Sequence, residues 1–85
     1  MKYKKFCSIL GQTVETIDAA LALDGISFER IGPAFSIKTT KKKLASIQSK
    51  IDDIIKGTFG KDASKYRKYN YCDKRLFLQF KRRIA

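Results

Sequence analysis

The sequence predicts a two-layer α+β domain, and three observations carry that prediction. Thr40 to Lys56 is a long amphipathic helix, a second helical stripe runs from Val14 to Leu21, and apolar residues alternate on both sides of Gly32-Pro33 and again near the C-terminus. Helices striped on one side and strands apolar on one face bury those surfaces most simply by stacking a helix layer on a sheet. With 85 residues the chain has room for one such core, so residues 1–85 read as a single domain.

Met1 to Leu10 fits two periods. Tyr3, Phe6, Cys7 and Leu10 suit a short helix, whereas Phe6, Ser8 and Leu10 against Cys7 and Ile9 suit a buried strand. The strand is taken, because Gly11 ends it and a better helix follows. Thr13 is the expected cap of that helix, Val14, Ile17, Ala20 and Leu21 its stripe, and Asp24-Gly25 its stop. Ile26 to Ile31 and Ala34 to Lys38 alternate around Gly32-Pro33 and read as a hairpin with one apolar face. In the next helix Leu44, Ile47, Gln48, Ile51, Ile54 and Ile55 share an arc of about 120° at 100° per residue, and Gly57 to Gly60 breaks it. Lys61 to Asp73 suits a helical turn through Tyr66 and Tyr69 or a strand through Tyr69 and Tyr71. Finally Leu76, Leu78 and Phe80 alternate with Phe77, Gln79 and Lys81, a last strand with the second set facing outward.

Strand, helix, strand, strand, helix, strand is the ferredoxin-like, split β-α-β order. It implies a four-stranded antiparallel sheet with two helices on one face and the other face open. The rival assignment makes the N-terminus helical and leaves three strands.

Charge is unevenly placed. Residues 1–37 hold four basic and four acidic groups, while residues 38–85 hold fifteen basic groups against Asp52, Asp53, Asp62 and Asp73, so the net +11 belongs to the second half. Such asymmetry points to a polyanionic partner, most simply nucleic acid. Three groups of residues carry the expectation. Lys41, Lys42 and Lys43 follow Thr39 and Thr40 at a helix start, where cations oppose the dipole unless an anion is near. Lys65, Tyr66, Arg67, Lys68, Tyr69 and Tyr71, continued by Lys74 and Arg75, interleave cations with rings that could stack on bases. Lys81, Arg82 and Arg83 form a basic tail.

Two short stretches resemble nucleic-acid-binding families. Gly57-Thr58-Phe59-Gly60 has the spelling of the loop with which KH domains clamp a nucleic-acid backbone. The helix before it is longer than in that family, and Phe59 stands where a small polar or basic residue belongs, so a glycine helix stop is the simpler reading. Gly32-Pro33-Ala34-Phe35-Ser36-Ile37 looks faintly like the central strand of RNA-recognition motifs. Pro33 replaces the expected ring, and no membership follows.

Catalysis finds little to work with. The absence of histidine removes the usual general base and the commonest zinc ligand. Asp52 and Asp53 diverge by about 100° on their helix, so no metal or cofactor is expected and the protein reads as non-enzymatic. Cys7 and Cys72 have no metal-ligand spacing. With no secretory segment in Met1 to Leu10 they read as free thiols in the cytoplasm, and no apolar run reads as a membrane span. The leading expectation is a small nucleic-acid-binding protein, RNA or single strands before duplex. Its rival is a small regulator or inhibitor that docks its basic half on an acidic protein or a ribonucleoprotein complex. A small nuclease or toxin ranks last, because no convergent set of groups can be named for it.

Overall fold

Phe6, Ile9, Leu10, Thr13, Val14, Ile17 and Leu21 recur at steps of three and four residues without a break. In the computed structural model, which describes residues 2–82, they form the inner stripe of one helix, α1 (Tyr3–Leu23). The expected N-terminal strand is therefore corrected to helix. Gly11 costs a helix interior about 1 kcal/mol, too little to break a stripe that continues on both sides of it. Thr13 is not a cap but a fully buried mid-helix residue. Its Oγ1 lies 2.7 Å from the Ile9 carbonyl and 2.6 Å from Thr58 Oγ1 on the facing helix. Asp24-Gly25 does stop α1. Gly25 takes φ +69°, its amide donates to Ala22 O and that of Ile26 to Leu21 O, the paired bonds of a Schellman motif.

The hairpin forms as expected, with β1 (Phe28–Ile31) and β2 (Ala34–Lys38) antiparallel. Gly32 at φ +58° followed by Pro33 makes the two-residue turn whose first position demands glycine. α2 (Lys41–Phe59) buries Ile47, Ile51 and Ile55 as the stripe requires and continues through Gly57 to bury Phe59 as well. Gly60 at φ +76° ends it. Phe59 stacks on Tyr66 at 5.3 Å and packs on Phe6 and Phe80, so the KH-like spelling is a helix end closed by a core ring. After a 3-10 turn (Gly60–Lys65), β3 (Arg67–Cys72) and β4 (Arg75–Phe80) form a second hairpin. Its turn residues Asp73 and Lys74 both have positive φ, 50° and 61°, the type I′ geometry that matches strand twist.

The chain is thus an α+β fold with two helices and an open four-stranded antiparallel sheet. The order of its elements differs from the split β-α-β expectation. It runs helix, strand, strand, helix, strand, strand, and the sheet order is β1-β2-β4-β3. Two helix-plus-hairpin units follow one another, and their second strands pair in the middle of the sheet. The fourth strand comes from Lys61–Asp73 rather than from the N-terminus. Phe35, Ile37, Leu76, Leu78 and Phe80 meet the two helices in a single core. α1 is also long and apolar enough, by length and composition, to cross a membrane, which corrects the expectation that no segment qualifies. Reading it as a strand and a helix divided at Gly11 had hidden its length. Here its inner stripe is part of the core.

Candidate nucleic-acid interface

Strand alternation decides which side of the sheet each basic residue joins. On β3, Arg67, Tyr69 and Tyr71 oppose Phe80, Leu78 and Leu76, all of them core positions, so they face the helices. The sequence-expected basic and aromatic run is thereby split between two faces. Tyr69 is half-buried and donates its hydroxyl to Asp52 Oδ1 at 2.7 Å. Arg67 Nε donates to the same oxygen at 3.1 Å, and its guanidinium sits 4.6 Å from the Tyr69 ring centroid. Burial raises the Tyr69 phenol far above its ordinary value, and the Asp52 carboxylate that accepts its hydrogen bond raises it further. Tyr71 donates to the Thr39 carbonyl at 3.2 Å, and Tyr66 packs on Phe6 and Phe59. These three rings tie the sheet to the rest of the core, and none of them lies on the open face.

The open face carries the alternate positions. Register sets them in three rungs: Lys68, Gln79, Ala34 and Ile31; then Asn70, Phe77, Ser36 and Glu29; then Cys72, Arg75 and Lys38. Rungs lie about 7 Å apart along the strands and neighbouring strands about 4.8 Å apart. Phe77 is 38% exposed on this face, where its alternation with Leu76 and Leu78 had placed it. Arg75 reaches across to β2 and donates to Ser36 Oγ at 3.2 Å. A shallow cleft of about 140 Å³ opens between Lys68, Asn70, Phe77 and Gln79.

At the end of the sheet beside the start of α2, a cleft of about 300 Å³ is lined by Lys38, Thr39, Thr40, Lys43 and Lys74, by the acid Asp24, and by the apolar Ile26 and Ile47. Thr40 is the N-cap of α2 by backbone conformation, yet neither its hydroxyl nor any other caps the helix. Of the three lysines expected here, Lys43 lines the cleft, while Lys41 and Lys42 are exposed on the same turn outside it. Lys38 was not singled out in the sequence, although its place as the last outward residue of β2 follows from the alternation of Ser36 and Ile37.

The remaining expected residues scatter. Lys65 pairs with Asp62 at 3.5 Å on the 3-10 turn. Lys81 is exposed just past β4, where its amide donates to Tyr66 O. Arg82 lies 5.9 Å from the ring centroid of Tyr3, at the start of α1. Arg83 lies outside the described residues.

Most of the acids sit elsewhere, although Asp24 lines the cleft at the start of α2. Among the described residues every ion pair involves the helix side or the 3-10 turn: Arg30 with Glu15 and Asp18, Lys50 with Asp24, Arg67 with Asp52, and Lys65 with Asp62. Lys38, Lys68, Arg75, Lys43 and Lys74 take part in none of these. The one acid on the open face is Glu29, on the edge strand β1.

The chain matches no protein-family model, no curated protein and no solved structure. Its chemistry has to be read from the residues alone. Among those described, no three histidine, cysteine or acidic side chains come together as a metal site. Cys7 and Cys72 are both exposed and unpaired.

Proposed function

We propose that this protein binds nucleic acid without catalysis, RNA or another single strand before duplex, and that it does so across the open face of its sheet. Lys68, Arg75 and Lys38 cross that face from β3 through β4 to β2, and Lys43 and Lys74 continue the track into the cleft at the start of α2. Lys41 and Lys42 flank the same helix turn. The observation that carries this reading is the separation of charge. The ion pairs of Arg30, Lys50 and Arg67 with carboxylates lie on the helix side, and Lys38, Lys68 and Arg75 of the open face take part in none of them, an arrangement that supports contact with a phosphate backbone. Single strands are favoured because a ring stands among the cations: bases of a single strand are free to stack on Phe77, and paired bases are not.

Fluorescence anisotropy with a mixed-sequence oligonucleotide, single-stranded and then annealed to its complement, tests this directly. The expected result is tighter binding of the single strand and a steep loss of affinity as salt rises. Negligible affinity for both forms at low salt overturns the reading. The runner-up, a regulator that docks on an acidic protein or ribonucleoprotein surface, is favoured by Ile31, an apolar side chain 65% exposed at the β1 edge of the same face. A pull-down that retains a protein partner after nuclease treatment supports that alternative.

A further inference from the structure

We infer that Phe77, Asn70 and Gln79 form a subsite for a single unpaired base, with a preference for adenine; the inference rests on the open face being the nucleic-acid surface. Four observations place it there. Phe77 is the one aromatic residue on that face among those described, and it is 38% exposed although the other apolar residues of β4, Leu76, Leu78 and Phe80, are buried. Asn70 stands directly opposite it on β3, and Gln79, the next outward residue of β4, is opposite Lys68. These four side chains enclose the cleft of about 140 Å³. The side-chain hydrogen bonds of β3 and β4 among the described residues start from Arg67, Tyr69, Tyr71 and Arg75, and neither amide takes part in them.

The chemistry follows from that arrangement. A base lying on the Phe77 ring buries one face on carbon and puts its edge within reach of the amides on either side. A carboxamide offers a donor and an acceptor side by side, the pattern complementary to the N7 acceptor and N6 donor of adenine. Lys68, on the far side of the cleft, and Arg75, one rung away on β4, supply cations for the flanking phosphates. Stacking accepts any base, so the ring supplies affinity and the amides supply the preference.

Short fluorescein-labelled single strands of deoxyadenosine, deoxycytidine or thymidine provide the test, read by anisotropy at one fixed low salt. Wild type is expected to bind the deoxyadenosine strand most tightly. Phe77→Ala is expected to weaken all three by about 5- to 150-fold, the loss of one stacked base, and Phe77→Tyr to preserve affinity. Asn70→Ala with Gln79→Ala is expected to level the three affinities while leaving binding of the thymidine strand nearly intact. Because Phe77 points away from the core, thermal melting should show each variant folded. Wild-type binding that ignores Phe77→Ala, or a base preference that survives loss of both amides, overturns the subsite and leaves the proposed function standing. Absence of wild-type binding to every strand overturns the proposed function itself.

Discussion

Tyr69 shows how one side chain's direction changes its role. It lies in the most basic and aromatic stretch of the chain, yet its hydroxyl is held by Asp52 and its ring carries the Arg67 guanidinium. The phenol is held protonated well above its ordinary value. For a group whose folded pKa is raised, the stabilisation is fully present below the unfolded value of about 10 and is lost as pH rises past it. Folding stability should therefore fall above about pH 10, by up to about 1.4 kcal/mol per pH unit from this group. Tyr69→Phe should cost about 1 to 2 kcal/mol at neutral pH and flatten that alkaline limb. Urea titrations of both proteins near pH 8 and pH 11 check this, and parallel alkaline losses in the two would show that Tyr69 is not responsible. Because the ring faces the helices, the same substitution should leave oligonucleotide affinity unchanged within about twofold, whereas a base-stacking Tyr69 predicts a larger loss on the scale of one stacked base.

At the scale of elements, one junction joins the two helices and another closes the second hairpin. Thr13 and Thr58 join the two helices through hydroxyls 2.6 Å apart in a fully or partly buried position. With one proton per hydroxyl, one donates across the interface and the other to a carbonyl of its own helix. Replacing either by valine should destabilise the fold by about 1 kcal/mol, and the double substitution should cost less than the sum, since it removes both polar groups at once. A double-mutant cycle by chemical denaturation measures that coupling, and strict additivity would mean that the two hydroxyls act separately. The second junction is the β3–β4 turn, where Lys74 holds φ 61° without being glycine. Lys74→Gly relieves the left-handed strain but adds freedom to the unfolded chain. The expected balance is a gain of about 0.5 to 1 kcal/mol. The same variant loses one cation from the cleft lining, so tighter folding should come with slightly weaker oligonucleotide binding.

For the molecule as a whole, the sheet separates two electrostatic environments. Its covered side pairs Arg67 and Arg30 with carboxylates of the helices, and its open side leaves Lys38, Lys68 and Arg75 without such partners. If these three cations each displace a counterion from a single strand, replacing all three by alanine should make the slope of log affinity against log salt shallower by about two. Removing Lys56, exposed on the helix layer, should leave the slope almost unchanged. An equal effect from Lys56→Ala would mean that net charge, not its placement, drives binding.

Period and punctuation in the chain determined the α2 stripe, the stop at Asp24-Gly25, the Gly32-Pro33 hairpin and the outward side of β4, because each depends on neighbours a few residues away. The same local information misread Met1 to Leu10, where ten residues fit both periods and only the continued packing of α1 on the core selects helix. It left Arg67 to Cys72 undecided for a related reason: alternate rings and cations look alike until β4 pairs beside them. Only the tertiary structure chose which half of that alternation faces the helices. It turned Tyr69 and Tyr71 toward the core and left Lys68 and Asn70 on the open side. Register does this, since each β3 residue takes the side of its β4 partner, and that partner is set by the apolar contacts of Leu76, Leu78 and Phe80 with helices distant in sequence.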